Sequence, residues 1–129
     1  MAVKRERPSH KLLLTDVAWA FQILAASQFF LTGLDKLADA PVMVQLFTTV
    51  GFGQWLRYFT GILEVVSSVL LLMPRLAVIG ASLLVIVLLG ALTAHMTVLP
   101  FSAAKVIVLL VMVGFVFWVR RREFLASSS

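Results

Sequence analysis

Four apolar runs, at about 12–34, 55–73, 76–96 and 101–119, take up most of this chain, and charge is nearly absent inside them. A helix rises 1.5 Å per residue, so roughly 20 apolar residues cover the ~30 Å hydrocarbon core of a bilayer. Each run reaches that length. Only 13% of the 129 residues are charged against 61% hydrophobic, and the mean hydropathy is +1.04. Soluble domains carry about 25% charged residues, so this chain cannot clothe a water-facing surface. A soluble enzyme, a disordered chain and a collagen-like fibre are excluded, and an integral membrane protein remains. The expected fold is an all-α antiparallel four-helix transmembrane bundle, one domain over residues 1–126, with 127–129 as a disordered tail.

The net charge of +5 sits at the ends of the chain. Lys4, Arg5, Arg7 and Lys11 precede the first run, and Arg120, Arg121 and Arg122 stop the last. Such end-loading sets membrane orientation and attracts anionic headgroups. Basic residues interleaved with aromatics, the footprint of nucleic-acid binding, are missing, so no nucleic acid is expected. A signal peptide is the rival reading of the first run, with small residues at Ala25, Ala26 and Ser27. The apolar stretch nonetheless continues through Phe29, Phe30 and Leu31, and Asp16 interrupts its start. With no cysteine, the chain cannot run thiol–disulfide exchange or build a thiolate metal site.

Residues 35–54 form the only long connection. Val42, Met43, Leu46, Phe47 and Val50 recur in it at helical spacing, which predicts a short amphipathic helix. Pro41 suits its first turn, and Gly51 and Gly53 end it. Short turns at 74–75 and 97–100 force antiparallel neighbours. With both termini inside, eight of the 11 Lys and Arg residues lie on the inner side; Lys36, Arg57 and Lys105 lie outside. The positive-inside rule therefore places both termini in the cytoplasm.

Charge within a bilayer costs several kcal/mol, so each buried charge needs a reason. The outer half of the predicted bundle gathers Asp35, Lys36, Arg57, Glu64, His95 and Lys105, whereas the inner half shows only Asp16. Arg57, Gly61, Glu64 and Ser68 share one stripe of the second run, and Gln28, Thr32 and Asp35 share one on the first. Glu64 and His95 lean toward each other, so a contact of Glu64 with His95 or Arg57 is expected. Lys36, Arg57 and Lys105 have the alternative of snorkelling to headgroups, and His95 that of capping its helix. The candidate polar cluster is Glu64, His95, Lys36, Arg57, Asp35 and Gln28. Gly80, Gly90, Ala91 and Ala94 read as helix-packing surface. His10 lies across the membrane from His95, so no two-histidine haem or metal site is expected.

Three short patterns occur in order on successive runs: Gly33 three residues before Lys36, Gly61 three before Glu64, and Gly90 five before His95. In this the chain resembles, over about residues 20–100, the DoxX-like family of small four-span bacterial membrane proteins. The resemblance implies a four-helix bundle in the inner membrane whose Lys36, Glu64 and His95 form a shared polar cluster. It also implies an accessory or assembly subunit of a membrane redox system, with a redox partner protein or a second copy of the chain. The alternatives are a small-molecule binding subunit with a quinone as its cofactor or ligand, and a proton-coupled transporter. No catalytic constellation is complete: Glu64 and His95 are the one acid–base pair, with no nucleophile or phosphate loop beside them.

Overall fold

The computed structural model describes residues 10–98 and 102–127, all of whose regular structure is helical. The basic residues Lys4, Arg5 and Arg7, the turn at Leu99 and Pro100, and Ser128 and Ser129 lie outside the described residues. Four long helices, α1 (His10–Leu37), α3 (Gln54–Leu71), α4 (Ala77–Thr97) and α5 (Ala104–Ser127), are joined by short turns or, between α1 and α3, by α2 (Pro41–Val50). Each long helix packs against two others in the cyclic order α1, α3, α4, α5. Gln22 and Leu71 meet at one end of the α1–α3 pair and Lys36 and Glu64 at the other, so those helices are antiparallel.

Small residues decide how close the helices come. A Cβ on Gly33 would lie 2.9 Å from the Gly61 carbonyl oxygen, and one on Gly61 would lie 3.1 Å from that of Gly33. The two glycines therefore seat α1 against α3 backbone to backbone, as small residues do inside membranes. A Cβ on Gly80 would come within 2.7 Å of the Ser67 carbonyl oxygen, so α3 and α4 also touch closely at that level. Gly90, ten residues further along α4, has nothing within 4 Å of such a Cβ. The interface closed at Gly80 is open at Gly90, which corrects the expectation that Gly90 is packing surface. The core between these helices holds Ala25, Phe29, Leu71, Leu84, Val113 and Val116.

The surface is inverted relative to a protein in water. Ile23, Leu31, Ile62, Val66, Ile86 and Val111 are exposed, while Gln22, Lys36, Arg57, Glu64, Ser67 and Arg120 are buried. Apolar residues face outward on all four long helices. Two of the helices, Leu13–Leu37 and Ala77–Thr97, are long and apolar enough to cross a membrane by length and composition.

At the end of the bundle where Gln22 meets Leu71, the last helix continues past the three arginines to Ser127. Asp16 is exposed, and it is not the only polar group there. Arg120 is buried and donates from Nε to Gln22 Oε1 at 2.9 Å, with its guanidinium 5.0 Å from the Trp19 ring. Gln22 Nε2 in turn donates to the Leu71 carbonyl at 2.7 Å. Leu71 ends α3, where carbonyls lack partners within the helix and lipid offers none. A glutamine from α1 and an arginine from α5 therefore close the end of α3.

Glycine substitutions should sort by what surrounds each position. Gly61→Val and Gly80→Val should each destabilise by about 1–3 kcal/mol, the cost of overpacking. Gly90→Ala should be neutral or slightly stabilising. Thermal unfolding in detergent measures all three; equal losses at the three positions would contradict the packing described.

Candidate functional site

At the other end of the bundle α1 closes in a Schellman motif. The Ala40 N–H donates to the Asp35 carbonyl at 3.2 Å, and Asp39 takes the left-handed position with φ of 59°. Glycine usually fills that position, and aspartate is among the few residues that tolerate it. The turn sends the Asp39 carboxylate toward α3. Arg57 Nη2 meets Asp39 Oδ1 at 2.8 Å, and the Tyr58 hydroxyl donates to the same oxygen at 2.6 Å. Arg57 also donates from Nη1 to the Lys36 carbonyl and from Nε to Gln54 Oε1 at 2.7 Å. A cation on the carbonyl end of α1 complements the helix dipole. Gln54 Nε2 continues the chain of contacts to the Val44 carbonyl at 3.2 Å and Thr48 Oγ1 at 3.1 Å, which fastens α2.

Below this lies the ion pair. Lys36 Nζ donates to Glu64 Oε1, and both side chains are buried. The pairing follows from the glycines: a Cβ on Gly61 would lie 3.1 Å from the Lys36 Cβ and one on Gly33 would lie 3.2 Å from the Glu64 Cβ, so both charged side chains stand in the seam. Each leans toward its own helix's N-terminus and hence toward the other. Phe47 of α2 covers the pair, its ring centroid 5.6 Å from the Lys36 ammonium. The other Glu64 oxygen, Oε2, is buried with no hydrogen-bond partner.

Glu64 and Lys36 face a cavity of about 750 Å³ that all five helices line. Gln28, Thr32 and His95 also lie on its wall, and the exposed Lys105 lines it too. Its remaining surface is chiefly apolar, including Phe29, Leu63, Val87, Leu88 and Leu109. Phe59, Ile86, Gly90 and Thr93 line it and are exposed, so it opens outward between α3 and α4, where Gly90 leaves the gap. Among the described residues no group of three His, Asp or Glu could hold a metal ion.

The expected cluster is brought together in part. Lys36, Glu64, His95 and Gln28 share the cavity. His95, however, does not bond Glu64: its Nδ1 lies 2.8 Å from the Ala91 carbonyl oxygen, one turn back on its own helix. The expected Glu64–Arg57 contact is replaced by Glu64–Lys36, because Arg57 is engaged at the end of α1. Asp35 is exposed and does not line the cavity. Helical geometry turns it about 100° from Lys36, and Asp39 is the carboxylate that Arg57 meets. Asp39 escaped the sequence reading because it belongs to no helical stripe; its signal was an acidic residue just after a helix end and two before Pro41.

A model of the DoxX-like family matches residues 20–119. The chain belongs to the DoxX-like family. The match runs on through most of α5, beyond the stretch that carries the Gly–Lys, Gly–Glu and Gly–His patterns. No curated protein and no solved structure matches the chain. Family and inverted surface together make this a membrane protein. As a DoxX-like protein it carries the lysine and glutamate of those patterns as a buried ion pair, with the histidine on the wall of the same cavity.

The Tyr58 hydroxyl, first, and the Arg57 guanidinium, second, hold the Asp39 carboxyl below the usual carboxylate range. A group whose folded pKa is lowered contributes stability above its unfolded value, about 3.9, and loses it as pH falls through the folded value. Asp39→Asn, which keeps tolerance for the left-handed backbone, should therefore melt below wild type at pH 7. The gap should close below about pH 4. Melting curves from pH 7 to 3 test this, and a gap that stays constant would contradict the assignment.

Proposed function

We propose that the chain crosses the bacterial inner membrane four times with both termini in the cytoplasm, and binds a small amphipathic molecule dissolved in the bilayer. The apolar exterior of all four long helices supports four crossings. The bias of eight basic residues to three supports the orientation. The observation that carries the binding reading is the buried, unpartnered Oε2 of Glu64, a residue that lines the cavity. Burying a polar atom without a partner costs about 1–3 kcal/mol, and native structures rarely leave one without a purpose. A ligand headgroup is the economical partner, since the cavity has the size and apolar lining of small-molecule sites. The gap at Gly90 faces the apolar exterior, which supports entry from the membrane.

A quinone-type headgroup is one occupant considered for the site, with Lys36 able to donate to one of its oxygens. The accessory or assembly role in a redox system, with a partner protein or a second copy, draws its support from the family resemblance. Proton-coupled transport draws its support from an ionisable carboxylate at membrane depth. The cavity favours ligand binding over both.

Gly90→Phe tests this reading, because a side chain there enters open space and fills the mouth without disturbing the ion pair. Protein extracted in patches of native membrane should release a bound apolar molecule on denaturation, detected by mass spectrometry. The variant should fold and carry several-fold less of it. The same complement of bound molecules in wild type and variant would contradict the proposal.

A further inference from the structure

We infer that the molecule taken by this cavity is neutral and presents a hydroxyl, an alcohol or phenol on an apolar body, as the donor to Glu64. The inference rests on the binding reading above and specifies the chemistry of the head. It comes from counting the hydrogens available on the cavity wall.

The carboxylate of Glu64 accepts only; Oε1 is taken by Lys36, and Oε2 is buried without a partner. His95 Nδ1 sits 2.8 Å from the Ala91 carbonyl oxygen. A carbonyl cannot donate, so Nδ1 carries a hydrogen and commits it to its own helix. The threonines of the wall point the same way. Thr32, Thr60, Thr93 and Thr97 each donate their hydroxyl hydrogen to a carbonyl of their own helix, at 2.7–2.9 Å. Ser102 Oγ accepts the Ala104 N–H at 3.1 Å. The hydrogens of these threonines and of His95 Nδ1 are thus committed within their own helices. Donors remain on Lys36, Gln28, Ser102 and the exposed Lys105, but Glu64 only accepts, so an incoming group must bring a hydrogen to reach it.

Charge narrows the class further. Lys36 neutralises Glu64, and Lys105 adds a positive charge to the lining, so an ammonium head is disfavoured. A hydroxyl donates to Oε2 while its oxygen accepts from Lys36, which suits both partners of the ion pair. A head with no hydrogen leaves Oε2 unpaired in the complex, and sites built for a hydroxyl reject analogues that lack one.

The test uses 4-nonylphenol and its methyl ether, 4-nonylanisole, which share an apolar body and differ in the one hydrogen. Both are titrated into the full chain in lipid nanodiscs, with thermal unfolding as the readout. The phenol should bind about tenfold or more tightly than the ether, and Gly90→Phe should abolish the difference. Glu64→Gln should reduce the preference to about two- or threefold; should that variant not fold, the loss of the preference in Gly90→Phe carries the test. Equal binding of the two probes overturns the hydroxyl inference and leaves the binding reading standing, since co-purification tests that separately. Failure of the phenol to bind wild type overturns the inference too, as does an undiminished preference in Glu64→Gln or, where that variant does not fold, in Gly90→Phe.

Discussion

The ion pair between Lys36 and Glu64 organises one end of this bundle. Two opposite charges in an apolar interior are tolerated only when paired and further bonded, and here the pairing dictates much of what surrounds it. Gly33 and Gly61 are small because the helices bearing the charges must touch for the side chains to meet. Phe47 and the short helix that carries it cover the pair. Arg57 cannot join the pair without unbalancing it, and it is used instead on the Lys36 carbonyl and on Asp39.

A second constraint runs alongside, because the last carbonyls of a helix lack partners within it. Arg57 serves α1 from α3, and Gln22 with Arg120 serves α3 from α1 and α5. Each deep polar group thus does structural work across helices, worth of order 0.6–2 kcal/mol per contact in membranes. The two ends differ in one respect. Neither Gln22 nor Arg120 lines the cavity, whereas Glu64 does and has one buried oxygen without a hydrogen-bond partner. That difference separates a polar group that only holds helices together from one available to a ligand.

Much of this was legible in the sequence. The period-3.6 stripe of Arg57, Gly61, Glu64 and Ser68 is buried throughout, and the amphipathic pattern after Pro41 forms a helix of the expected length. The outer gathering of charge was visible because apolar runs make each charge conspicuous. Partner choice was not visible. Side-chain lean brought Glu64 and His95 to one cavity, but it could not show that a glycine contact between α1 and α3 would deliver Lys36 first. Asp39 was hidden in a turn, where its reach depends on a left-handed backbone rather than on spacing. The inner cluster was hidden because Gln22 is uncharged and Arg120 looked like the start of a cytoplasmic tail; only the helix that continues past it turns it inward.

A double-mutant cycle on Lys36→Met and Glu64→Leu, read by unfolding free energy in detergent, tests the central claim most directly. Removing one partner strands a buried charge and should cost about 3–5 kcal/mol, while the apolar double variant should return to within about 1–2 kcal/mol of wild type. Losses that simply add in the double variant would mean that the two side chains do not meet inside the bundle.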